Sequence, residues 1–158
     1  MTRSLCKLPS KRQRGVAAVE LAIVLPVLFV LMTVPIFFAR YFFHYTVVHK
    51  AAQNAARYLS TVSVREMRTP ALAVAAGKIA NDIAAEELAD IAPGQDGPTI
   101  EVFCGPNILC SGYGSGAMPE TVAVGVHMYM FDNIFGVVNT GFYGWRIATT
   151  AEVRYVGR

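Results

Sequence analysis

The sequence predicts an α+β chain: a long, kinked N-terminal transmembrane and stalk helix, then a second helix, then a small antiparallel sheet. Three observations carry this. Residues 16–39 form an almost uncharged apolar run, an Ala-rich stretch lies between Pro70 and Pro93-Gly94, and apolar and polar residues alternate in the last third of the chain. Of 158 residues, 54% are hydrophobic and 16% charged, against roughly half and a quarter in soluble domains. That excludes a disordered chain and a purely nucleic-acid-binding one. With a membrane segment subtracted, the length leaves at most one ordinary domain and little room for an enzyme.

The first fourteen residues carry Arg3, Lys7, Lys11, Arg12 and Arg14 and no acid, which leaves nine basic residues against eleven acidic ones for the rest. The basicity therefore belongs to a short N-terminal arm. Such an arm is the cytoplasmic flank of a membrane segment under the positive-inside bias. A nucleic-acid tail is disfavoured, because the apolar run follows at once and the body has no second basic patch.

Within residues 16–39 the one charge is Glu20, and the last nineteen residues contain only Thr33 among polar side chains. Twenty-four helical residues at about 1.5 Å each span roughly 36 Å, enough to cross a hydrocarbon core of about 30 Å. Pro26 and Pro35 predict bends in a helix that persists, since unpaired backbone groups are costly in lipid. A cleaved secretory signal is excluded: the run is too long and ends in Phe37-Phe38-Ala39-Arg40-Tyr41, with no small-x-small site. Tyr41, Phe42, Phe43 and Tyr45 around Arg40 form the kind of aromatic belt that anchors a helix at the lipid boundary.

Residues 40–60 predict an amphipathic stalk helix. His49, Lys50, Gln53, Asn54 and Arg57 share one face, and Val48, Ala52, Ala55 and Leu59 another. Ser60, Thr61 and Ser63 interrupt the pattern. Thr69 before Pro70 predicts a capped second helix over residues 70–92, with Ile79, Ile83 and Leu88 as packing residues and Asp82, Glu86, Glu87 and Asp90 as a solvated face. Ile100 and Val102 flank Glu101 in a first strand. Val122, Val124, Val126, Met128 and Met130 make one face of a second, and Ile147, Thr149, Ala151, Val153 and Tyr155 one face of a third. Loops at 111–117 and 133–144 join them, and residues 61–158 constitute the C-terminal α+β domain.

Catalytic constellations are poor. His44 and His49 are five apart, not four, with no Glu between them, and His127 reads as a strand residue. No phosphate-cradling loop or nucleophile elbow is present, and the acidic run lacks the glycine-punctuated spacing of a calcium loop. No metal or cofactor is expected. Cys104 and Cys110 enclose Gly105-Pro106-Asn107-Ile108-Leu109, a spacing unlike two-residue redox or zinc motifs; a small disulfide loop fits it, with two buried thiols as the alternative. Cys6, in the arm, has no expected partner.

Glu20 is the most informative residue, since a carboxylate in a membrane helix costs about 2.5–3.5 kcal/mol at the centre and marks function by default. Its context is Lys11-Arg12-Gln13-Arg14-Gly15-Val16-Ala17-Ala18-Val19-Glu20. A basic arm ending in Gly, with Glu at the fifth position after it and an apolar run behind, resembles the processing site of type IV prepilins and pseudopilins. The Ala51-Ala52-Gln53-Asn54-Ala55-Ala56-Arg57-Tyr58 segment and the late strands look like the TadE-like pseudopilins of tight-adherence (Flp) pilus systems, the resemblance being best over residues 11–60. Leu21 departs from the aromatic that Flp pilins carry after the Glu, and Val16 from the Phe common in type IVa pilins. TadE-like and TadF-like membership both stay open.

The resemblance implies cleavage by a membrane prepilin peptidase between Gly15 and Val16, removing residues 1–15. The new α-amine at Val16 would stand one helical turn from Glu20, and a neighbouring subunit's amine would pair with the same carboxylate in a low-dielectric stack. It further implies a minor pilin or pseudopilin in the bacterial inner membrane with its C-terminal domain in the periplasm. The partners implied are other pilins and the assembly platform, with no nucleic acid. The alternative is an uncleaved single-pass membrane protein whose extracytoplasmic domain binds a ligand, with Gly15 a mere helix-start residue.

Overall fold

The computed structural model describes residues 14–91, 97–114, 118–131, 141 and 144–157. The basic arm to Gln13 with its Cys6, the Pro93-Gly94 helix stop, and most of the 133–144 loop, with residues 115–117 of the other, lie outside the described residues. The fold is α+β, with helices at Arg14–Thr61 (α1), Val64–Arg68 (α2) and Pro70–Leu88 (α3) and strands at Thr99–Phe103 (β1), Thr121–Met130 (β2) and Trp145–Arg154 (β3). Two compact units divide the chain, Met1–Ile36 and Phe37–Arg158.

In the first unit α1 runs unbroken through Pro26 and Pro35. Each proline removes an N–H from the ladder. The Thr33 hydroxyl donates to Phe29 O at 2.9 Å, tying a side chain back to the preceding turn. Val16, Val19, Leu21, Ile23, Val24, Phe29 and Val30 are all exposed, so the helix is apolar around its circumference. Among the described residues, α1 alone is long and apolar enough to cross a membrane.

In the second unit the remainder of α1 is the central core element. Val48, Ala51, Ala52, Ala55, Ala56 and Leu59 are fully buried, the stripe that helical periodicity assigns to the inner face, while Lys50, Gln53 and Arg57 are exposed. The segment from Ser60 to Ser63 closes α1 and opens α2, a short helix absent from the sequence-based expectation. Ser63 and Glu66 form a reciprocal capping box: Glu66 N–H donates to Ser63 Oγ, and Ser63 N–H and hydroxyl donate to Glu66 Oε2 at 3.1 and 2.6 Å. These bonds hold the Glu66 carboxyl below its ordinary pKa.

Thr69 occupies the N-cap position of α3 with Pro70 in the first turn, but its side chain does not cap. It is simultaneously the C-cap of α2, and its hydroxyl turns back to donate to Arg65 O at 3.1 Å. α3 stops at Leu88 instead of reaching residue 92. Ala89 N–H donates to Glu86 O and Ile91 N–H to Leu88 O, three-residue bonds that wind the helix down into turns. Leu88 is buried and Ile83 half-buried, whereas Ile79 faces outward. The acidic face is solvated at Glu86 and Asp90, with Asp82 exposed as well. Glu87 is the exception, accepting a bond from Asn54 Nδ2 at 2.6 Å and pinning α3 to α1.

The sheet has the order β1-β2-β3, antiparallel throughout, with Val102 opposite Val124 and Val124 opposite Ala151. Val122, Val124, Val126, Met128 and Met130 are buried, as are Ile147 and Ala151. Their alternation with exposed or half-buried neighbours gives one face against the helices and one open to solvent. Beyond β3, Val156 and Gly157 N–H groups donate to Ser60 O, and the Tyr155 hydroxyl to Val62 O at 2.7 Å. The chain after β3 thus satisfies carbonyls that the end of α1 leaves without helical partners.

Candidate functional site

Gly15, Val16 and Glu20 lie in the first two turns of α1, and all three are exposed. Val16 and Glu20, four apart, share a helix face one turn from each other. Gly15 does not adopt positive φ, and a Cβ built on it meets nothing within 4 Å. Among the described residues neither backbone conformation nor packing demands glycine there. Glu20 makes no hydrogen bond or ion pair among the described residues. In a membrane a carboxylate on an apolar helix face is a costly group.

The Cys104 and Cys110 sulfurs are bonded at 1.98 Å, with Cα atoms 4.8 Å apart. The loop between them is a tight reversal: Cys104 N–H donates to Ile108 O at 2.9 Å, Phe103 bridges Leu109, and Asn107 takes a φ of 58°. It ends in a single turn of 3₁₀ helix at Cys110–Gly112. This loop packs on α3 at Gly77, where an added Cβ would lie 2.6 Å from Cys110 Cβ. Gly77 is thus a close-approach glycine, signalled in sequence only by its interruption of an Ala-rich helix.

Among the described residues no three His, Cys, Asp or Glu side chains stand close enough to hold a metal ion. His49 Nδ1 lies 3.0 Å from Thr149 Oγ1 and its Nε2 2.9 Å from Gln53 Nε2, linking α1 to β3. His127 sits half-buried in β2. His44 is buried, with no partner for Nδ1 among the described residues, and burial, reinforced by the Arg40 charge, pushes its pKa below the ordinary value. The candidate site is therefore the exposed start of α1.

Over that helix, a family model described as TadE-like protein matches residues 15–57. Over these residues the chain is similar to TadE-like proteins. The matched residues begin at Gly15, include Glu20 and the apolar run, and continue through the Ala-rich core stripe to Arg57. No curated protein and no solved structure matches the chain. The family match thus covers the candidate site and the stalk as far as Arg57, and stops short of α2, α3 and the sheet.

Two features near the TadE-like helix escape the sequence-based expectation. One is the α2 capping box, for which Ser63-Val64-Arg65-Glu66 is the available signal. The other is the ring cluster in which Phe37, Phe38 and Tyr41 meet Trp145 edge-on, at centroid distances of 5.3, 6.2 and 5.9 Å. No local pattern joins residues so far apart in the chain.

Proposed function

We propose that this chain is a minor pilin or pseudopilin of a tight-adherence (Flp) type IV pilus, a structural subunit and not an enzyme. It is made as a precursor with residues 1–15 in the cytoplasm. A prepilin peptidase cuts between Gly15 and Val16, leaving residues 16–39 in the inner membrane and the C-terminal domain in the periplasm. The observation that carries this reading is the TadE-like match beginning at Gly15, at a glycine that packing among the described residues does not require.

Chemistry supports the same assignment. Cleavage at Gly15 converts an amide nitrogen into a terminal ammonium one turn from Glu20. A carboxylate that is unpaired among the described residues then gains a counter-ion, its own or that of an adjacent subunit, where the low dielectric strengthens the attraction. An axial stagger that matches each Glu20 to an ammonium group is favoured over staggers that leave it alone in apolar surroundings. Glu20 would thereby set register among pilin helices and the assembly platform. Neither metal nor cofactor enters this work, and nucleic acid has no part in it.

Gly15→Asp tests the reading. A Cβ at this position has open space, so the variant folds and inserts as the parent does, while a peptidase pocket shaped for glycine rejects it. Intact-mass measurement of membrane-extracted protein is expected to show the full precursor for the variant and a chain starting at Val16 for the parent. Cleavage of the variant at the parental rate would overturn the assignment of Gly15 as the recognition residue.

A further inference from the structure

Trp145, at the start of β3, packs against α1 at the end of the apolar run. It is the first residue of β3, opposite Met130 at the end of β2. Gly144 sets its approach: φ is +80°, and a Cβ there would lie 2.8 Å from Met130 O and 3.2 Å from the Phe131 ring. The indole then meets Phe37, Phe38 and Tyr41 edge to face. Phe37 is buried by this cluster, while Phe38 stays 41% exposed and its neighbours Phe42 and Phe43 are 60% and 63% exposed.

The height of this cluster is set by helix geometry. About 20 helical residues cross a 30 Å hydrocarbon core, so a span over residues 16–39 reaches the far boundary between residues 36 and 39, according to its tilt. The rings at 37, 38, 41, 42 and 43 stand at that boundary, and Trp145 stands with them. Arg40, half-buried and between Phe38 and Tyr41 in sequence, and Arg146, exposed beside Trp145, make no ion pair among the described residues. Aromatic rings with free guanidinium groups suit a zone that is apolar on one side and lined with phosphates on the other.

We infer that Trp145, Phe38, Phe42 and Phe43, with Arg40 and Arg146, form a docking surface for the phospholipid headgroup layer, seating the C-terminal domain on the bilayer instead of holding it clear. The occupant is lipid because Phe38, Phe42 and Phe43 follow the apolar span along the sequence of the same helix, and the Arg40 and Arg146 guanidinium groups, without ion pairs among the described residues, complement phosphate. This inference rests on reading residues 16–39 as that span.

Trp145 is the only tryptophan in the chain, so the unmodified protein reports on itself. The full chain is reconstituted in phosphatidylcholine and phosphatidylglycerol vesicles, with bromine placed either near the headgroup end of the acyl chains or near their methyl ends. Flotation confirms incorporation. Expected is a larger loss of emission with shallow than with deep bromine, and weaker quenching by iodide, present on both sides, than N-acetyltryptophanamide shows in solution. Emission unaffected by either bromolipid in a chain that floats would overturn the docking surface and leave the span standing. A chain that does not float with the vesicles would overturn both.

Discussion

Replacing Gly77 with Ala reverses the sign that a helix-interior Gly→Ala change ordinarily has. In an exposed helix the change gains about 1 kcal/mol of helix propensity. At Gly77 the new Cβ would stand 2.6 Å from Cys110 Cβ. The disulfide and the short Cys104–Cys110 loop prevent Cys110 from yielding as a flexible side-chain end would. α3 and the loop must therefore part by roughly 1 Å, and overpacking of this kind costs about 1–3 kcal/mol. The balance is a net loss of about 1 kcal/mol, or a few degrees in the unfolding midpoint of a domain this size. Thermal unfolding of the detergent-solubilised chain, followed by Trp145 fluorescence, reads it. With Cys104 and Cys110 both changed to Ser, the loop is free to retreat and Gly77→Ala should become neutral or stabilising. Contacting residues couple by more than about 0.5 kcal/mol in such cycles. A Gly77→Ala variant that is stabilised with the disulfide intact would refute the close-approach argument.

Three further outcomes are expected. Glu20→Ala removes a costly membrane carboxylate, so insertion measured by carbonate extraction is unimpaired while pilus assembly falls; unchanged piliation would leave Glu20 as an interfacial residue with no assembly role. Cys104→Ser opens a disulfide between residues six apart, for which loop-closure entropy gives about 2 kcal/mol; equal stability of parent and variant under oxidising conditions would count against the bond. For His44, whose folded pKa is lowered by burial and Arg40, the unfolded state binds more protons, so its contribution is full above 6.5 and is lost as pH falls from there through the lower folded value. His44→Gln should flatten the pH dependence of stability in that window, and an unchanged slope would contradict it. Glu66, also lowered, acts in a separate window below its ordinary 4.5.

Local periodicity is what makes a fold legible in its sequence. The stripe of Val48, Ala52, Ala55 and Leu59 and the alternation of Val122, Val124, Val126, Met128 and Met130 can both be read there, because burial of one face imposes a repeat on the residues themselves. The helix stop at Leu88 cannot be placed as well, since Pro93 marks a boundary only to within a few residues and the final turn tightens before it. Glu87 has the pattern of one more solvated acid, and its bond to Asn54 depends on how two helices cross. Trp145 has the pattern of a strand residue, and its partners lie on α1. The Gly15 and Glu20 pair is readable because its elements are close together in the chain. Under the proposed function the pair acts on molecules outside the chain, and among the described residues neither is held by packing or a hydrogen bond.

The proposed function stands or falls on Gly15 ending a removable leader and Val16 beginning the working subunit. N-terminal sequencing of the protein extracted from its native membranes tests this, in cells where the peptidase is trimming other substrates. The expected chain begins Val16-Ala17-Ala18-Val19-Glu20. A chain that still carries Met1 through Gly15 under those conditions would show that no leader is removed and that the assignment is wrong.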